Sequence, residues 1–177
     1  DDDGLVLPPK VATHQVVILP IYRDEEQRKL VMDAVEKLKS SLQEQVWRGQ
    51  MISCMVDDRP LRGGEKFWQN VKKGTPIRCE IGPRDVKNQV VMVGRRDEPS
   101  SIKQSYKIQE FTESCGKLLD DIQDNLFKKA VDFRAGAMKK IDSLDELEKF
   151  FTNTKSQKGK LSEAGGFALC HWHEKAI

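Results

Sequence analysis

A chain of 177 residues with 30 Lys and Arg against 28 Asp and Glu carries a net charge of only +2 at neutral pH, so any strong positive field on it must be local. Its apolar fraction of 38% and charged fraction of 33% are those expected of a soluble protein with one core of ordinary domain size and room for a small appendage. No run of about 18 apolar residues is present, which excludes a membrane-spanning helix, and the DDDG start lacks the basic and apolar segments of a signal peptide.

In chain order, His14 to Ile21 is a β-branched run that predicts a buried strand. Asp24 followed three residues later by Gln27 forms a capping box, and Leu30, Ala34, Val35, Leu38 and Leu42 then recur at helical spacing. Met51 to Val56 reads as a second strand. Strand, helix and strand in so short a stretch predict a parallel pair with a right-handed crossover. A short helix from Glu65 to Lys73 follows, with Gly74 able to cap it. Pro76 to Gly82 and Lys87 to Gly94 are two further strands joined by the turn-prone Pro83-Arg84-Asp85, and Gln104 to Ile108 adds a short fifth. Gln109 to Phe133 predicts a long helix with Phe111, Cys115, Leu118, Leu119, Ile122, Leu126 and Val131 on its inner side. Its six acids against three lysines make an outer face that should repel phosphate. Beyond Arg134 come a short helix from Ser143 to Phe151 with Ser143 and Glu146 as a capping box, a polar linker NTKSQKGK, and GGFALCHWH. The expected fold is α/β, a mixed five-stranded sheet flanked by helices and followed by a small α+β module. The expected limits are 1–12 for a junction, 13–134 for the main domain and 135–177 for the module.

Charge concentrates between Asp57 and Asp85. Arg59, Arg62, Lys66, Lys72, Lys73, Arg78 and Arg84 face Asp57, Asp58, Glu65, Glu80 and Asp85, an excess of two that equals that of the whole chain. The run leaves the C-terminal end of a strand, where open α/β sheets place their binding surfaces, and a local positive field favours a polyanion. Mixed signs suit base reading: arginine matches the O6 and N7 acceptors of guanine, and a carboxylate accepts from base amino groups. Arg78 and Glu80, at period two on one strand face with Lys66 on the helix above them, are the expected reading residues. Arg84 and Lys72 suit phosphates, and Arg59 suits a base or phosphate unless Asp57 or Asp58 engages it. Phe67 and Trp68 could offer a stacking face, with Trp68 better suited to the core. A solvated face laced with salt bridges is the alternative for the whole run.

Four cysteines at 54, 79, 115 and 170 form no C-x-x-C pair, and reduced thiols in the cytoplasm are the plain expectation. Cys170, His171 and His173 are the one cluster of soft ligands. Adjacent residues on a strand point to opposite faces, so no metal is expected there. No nucleophile-elbow or P-loop pattern occurs, and no catalytic residue is assigned to this chain.

The ordered series DDR, Gly63-Gly64, EKF-W, KGTPIR and EIGPRD resembles the anticodon-binding domain of prolyl-tRNA synthetases, over roughly residues 1 to 133. GLVLPPKVATHQVVILPI (Gly4 to Ile21) is similar to the junction with the class II catalytic domain, and VVMVGRRD (Val90 to Asp97) to the strand that follows. This resemblance implies binding to the anticodon loop of proline tRNA, whose anticodons share two guanines. It also implies that catalysis, with its ATP and magnesium, lies in motifs preceding this chain, that the enzyme dimerises through that absent catalytic domain, and that it works in the cytoplasm. Zinc-containing relatives carry Trp-Cys-Gly where this chain has Trp172-His173-Glu174, so a zinc site is not implied. A standalone interaction module binding an acidic protein through a basic rim is the competing function.

Overall fold

In the computed structural model the described residues are 1–152 and 166–171. The linker at 153–160 and the Trp172-His173-Glu174 sequence lie outside them. The elements are β1 (Val16–Pro20), α1 (Glu25–Gln43), β2 (Val46–Trp47), β3 (Gln50–Met51), β4 (Cys54–Val56), α2 (Gly63–Lys72), β5 (Ile77–Ile81), α3 (Pro83–Asn88), β6 (Val90–Arg95), β7 (Gln104–Lys107), α4 (Ile108–Ala137), β8 (Met138–Lys140), α5 (Leu144–Thr152) and β9 (Phe167–Leu169). Two compact units result, Asp1–Leu126 and Phe127–Ile177. The division falls inside α4, ahead of the limit at Arg134 expected from sequence. The buried stretch of that helix ends at Ile122, with Leu126 the last residue packed against the core.

The first unit holds a mixed five-stranded sheet in the order β4-β1-β5-β6-β7. The first three strands are parallel, β5 and β6 antiparallel, and β6 and β7 antiparallel. Side chains alternate across it. Val16, Ile18, Ile77, Cys79, Ile81, Val91 and Val93 meet α1 and α4 in the main core, sealed by Val31, Val35, Leu38 and Leu42 from one helix and Phe111, Cys115, Leu119 and Ile122 from the other. The opposite face is thinner: Val17 and Leu19 pack against Phe67 and Val71 of α2, with Met55 at the edge.

The expected cap of α1 is present, with Asp24 accepting from the Gln27 amide at 2.8 Å. The buried stripe is rotated from the expected one, since Val31 is inside and Leu30 is 42% exposed. The strand expected over Met51–Val56 is split in two. Arg48 and Gly49, both at positive φ, turn a β2–β3 hairpin before β4 joins the sheet. The Pro83-Arg84-Asp85 connection is a helix rather than a turn. Proline fixes its first position, the Asp85 carboxylate accepts from the Gly82 amide at 2.8 Å, and left-handed Gln89 ends it. The strand expected from Lys87 therefore starts only at Val90. In the second unit β8 and β9 pair in parallel, and the Glu146 amide donates to the Ser143 hydroxyl at 3.3 Å at the start of α5.

Asp57, directly after β4, ties α2 to the sheet. Its amide donates to the Ile18 carbonyl at 2.9 Å, while its buried carboxylate accepts from Arg59 Nε and Nη2 at 2.7 Å each and from Asn70 Nδ2 at 2.8 Å. Hydrogen bonds from Arg59 and then Asn70 outweigh burial and hold this carboxyl down to about 2. At the far end of α2, Gly74 closes the helix at φ 74°, where an added Cβ would stand 2.8 Å from the Leu5 carbonyl oxygen.

Three outcomes are expected. Gly74→Ala should lower the urea-denaturation stability by about 1–3 kcal/mol, since left-handed strain and backbone overlap both oppose it. Gly64→Ala, with nothing within 4 Å of its added Cβ, should be neutral or stabilising by up to about 1 kcal/mol. Because the folded carboxyl of Asp57 sits below its ordinary 3.8, its stabilisation is full above that value and disappears as pH falls through about 2. The loss across that window should be roughly 2 kcal/mol. Denaturation series at stepped pH should show that component missing in Asp57→Asn.

Candidate nucleic-acid interface

α2 covers the sheet only over β4, β1 and β5, so the same face of β6 and β7 is open. The pairing Leu19↔Glu80, Glu80↔Met92 and Met92↔Ser105 carries one row of side chains across this face. Arg78 and Glu80 lie side by side on it, as their period-two spacing requires, but in different environments. Arg78 is 1% exposed. Its guanidinium carbon lies 5.0 Å from the Phe67 ring centroid, and Nη2 donates to the Arg95 carbonyl at 3.2 Å. Gly94 makes the room, since an added Cβ would come within 3.2 Å of Nη2. Nε and Nη1 find no hydrogen-bond partner. Burial and the neighbouring Arg96 bring the guanidinium down to about 10, which leaves it charged at neutral pH. An unsatisfied buried charge of this kind costs about 1–3 kcal/mol per group, partly offset by the aromatic contact.

Glu80 is only partly covered and pairs with Lys103, Nζ to Oε1 2.5 Å. The Lys103 ammonium also stands 4.4 Å from the Phe67 centroid, so two cations lie against that one ring. Lys103, just before β7, and Ser105 and Lys107 within it alternate toward the open face. Sequence reasoning missed these lysines, although the period-two spacing in KQSYK was a usable signal. Trp68 is 45% exposed, set edge-on to Phe67 at 5.7 Å. The core assignment thus fits Phe67, while Trp68 offers its ring to solvent.

The other expected residues separate. Lys66 does not stand above Arg78 and Glu80: its Nζ donates to the Pro20 carbonyl at 2.9 Å and lies 5.9 Å from the Tyr22 ring, at the end of β1. Burial lowers its pKa, opposed by Asp57 and Asp58. Arg59 is held by Asp57, the ion pair named as its alternative, yet its side chain is 43% exposed. Lys66 and Arg59 line a cleft of about 90 Å³ with Tyr22, Pro60, Leu61 and Gly63. Arg84 is exposed in the first turn of α3 beside this end of the sheet. Lys72 is exposed at the opposite end, because α2 runs back toward the start of β5. There its carbonyl accepts from the Leu5 amide at 3.0 Å.

Among the described residues, no group of three or more His, Cys, Asp and Glu side chains is placed to hold a metal. His171 approaches Asp142 at 3.8 Å beside an exposed Cys170, and His14 pairs with Ser53 at 2.8 Å; His173 lies outside the described residues. Cys54, Cys79 and Cys115 are buried free thiols whose pKa values burial raises. No described helix is long and apolar enough to cross a membrane.

The chain is 41% identical over its full 177 residues to a proline–tRNA ligase of Bdellovibrio bacteriovorus, of which it covers 34%. It is 39% identical over 173 residues to the proline–tRNA ligase of Protochlamydia amoebophila, with 97% of this chain and 34% of the relative aligned. For that of Akkermansia muciniphila the figures are 42% over 152 residues, 86% and 30%. The chain thus spans about one third of the length of the curated relatives it matches. Residues 15–118, which include the whole five-stranded sheet and the beginning of α4, match the family described as the anticodon binding domain. With more than half of its length matched in this way, the chain belongs to the anticodon-binding domain family.

Proposed function

We propose that this chain recognises the anticodon of proline tRNA and serves as the recognition part of a ligase that joins proline to that tRNA. Carrying the proposal is the face beyond α2, where the partly exposed Glu80 carboxylate pairs with Lys103, Lys103 lies over the Phe67 ring, and the exposed Trp68 indole stands edge-on to that same ring. An unstacked guanine presents N1–H and an amino group on one edge and O6 and N7 acceptors on the other. Glu80 accepts from the first edge once Lys103 releases it, and Lys103 then turns to the acceptors. Arg78, sealed beneath Phe67, keeps the local field positive and makes contact only if that ring shifts. Trp68 gives a base a stacking partner, and Arg84 and Lys107 meet phosphates.

The ligation chemistry, with its ATP and magnesium, is assigned in this proposal to the roughly two thirds of the relatives' length that this chain does not span. Dimerisation through that part and a cytoplasmic location belong to the same proposal.

Titration of proline-tRNA anticodon stem-loops, intact or with either guanine replaced, tests the reading. Each replacement should weaken binding by about 1–3 kcal/mol, and Glu80→Gln should lose most of the discrimination at one guanine while keeping the fold. Equal affinity for all loops would contradict it.

A further inference from the structure

The cleft between the end of β1 and the start of α2 lies off the open face, yet its chemistry is one-sided. Two cations, Arg59 and Lys66, line it and no acid does, while Asp57 and Asp58 lie behind them and Glu65 stands on the first turn of α2 near Arg59. Both Asp57 and Asp58 are engaged by donors of their own. Asp58 accepts from Tyr22 Oη at 2.5 Å and from Arg28 Nη2 at 2.8 Å, and Asp57 accepts from Arg59 and Asn70. The donors are in excess. Lys66 uses one of its three N–H groups, on Pro20, and Arg59 keeps N–H groups beyond the two given to Asp57. α2 opens into the cleft at Gly63 with no side-chain cap on its first turn. The walls, Pro20, Ile21, Pro60 and Leu61, add no acidic group. A buried lysine with spare donors, beside a second cation and with no acid in the lining, is matched by a ligand that brings acceptors and negative charge and needs no donor of its own.

We propose that this cleft is a phosphate site, and that it holds one backbone phosphate of the RNA whose bases occupy the open sheet face. It rests on the anticodon reading for the source of the phosphate, and it gives Lys66 and Arg59 a register-fixing role in place of base reading. Tyr22 and Arg28 hold Asp58, and Arg59 and Asn70 hold Asp57, so that neither acid is turned toward the ligand.

The test is a set of anticodon stem-loops, each with one phosphate replaced by a neutral methylphosphonate, titrated against the full chain and against Lys66→Gln. One replacement should weaken wild-type binding by about tenfold, and Lys66→Gln should abolish the loss at that position alone. Gly63→Pro provides a variant that keeps the fold. Arg62 before it is extended at φ −62°, ψ 143°, and proline suits a first helical position, so only the Gly63 N–H is removed. It should reduce the same coupling with an unchanged urea midpoint. If the intact loop binds but no position couples to either variant, the phosphate site is overturned and the anticodon reading stands. If no loop binds, the anticodon reading fails and inorganic phosphate decides the cleft by amide NMR: saturable shifts at Gly63 and Gly64 sustain the site as one for free phosphate, and their absence overturns it.

Discussion

One carboxylate decides where the second layer of this domain sits. Asp57 joins the edge of the parallel strands, the loop that leaves them and the middle of α2 through its bonds to Ile18, Arg59 and Asn70. Little else could do so, because α2 buries a modest apolar set, Phe67 and Val71 against Val17 and Leu19. The face toward α1 and α4 needs no such anchor, being sealed by a continuous aliphatic and aromatic layer. Fixing α2 over three strands leaves the other two uncovered, and that partial cover separates Glu80 and Lys103 from the buried Arg78.

Burial sorts the cations of the charged run into different tasks. Arg78 and Lys66 are both nearly inaccessible, but Arg78 lies under an aromatic ring with two N–H groups unanswered, whereas Lys66 faces a cleft. Arg84, Lys103 and Lys107 remain in water, where their contribution to stability is small and their contribution to steering an anion is large. In the proposed function base reading falls to the group that is both exposed and acceptor-bearing, Glu80, and phosphate holding to the donors that line the cleft.

Much of the architecture was legible because it follows from periodicity. The β-branched run of β1, the capping box of α1 and the inward residues of α4 from Phe111 to Leu126 stand where the sequence places them, while Val131 lies beyond the core; the sharing of one strand face by Arg78 and Glu80 follows from the period of a strand. The β2–β3 hairpin was not legible, because its turn uses Arg48 at positive φ rather than the Asn or Asp that would signal it. Helix α3 was missed because Pro-Arg-Asp serves equally as a turn and as a helix start, and Asp85 tips the choice by capping Gly82. Within the site, the destination of the Lys66 ammonium could not be read from spacing. A flexible four-carbon stem reaches either the strand beside it or the end of β1, and the free carbonyl of Pro20 settles it.

The most direct test of where this domain meets RNA is amide and indole chemical-shift mapping of the labelled chain on addition of a proline-tRNA anticodon stem-loop. The largest changes are expected at Gly63, Trp68, Glu80, Arg84 and Lys103, with the solvent face of α1 unchanged. Changes centred instead on α1 or on the β2–β3 hairpin would contradict the assignment of the α2 side of the sheet as the RNA-reading surface.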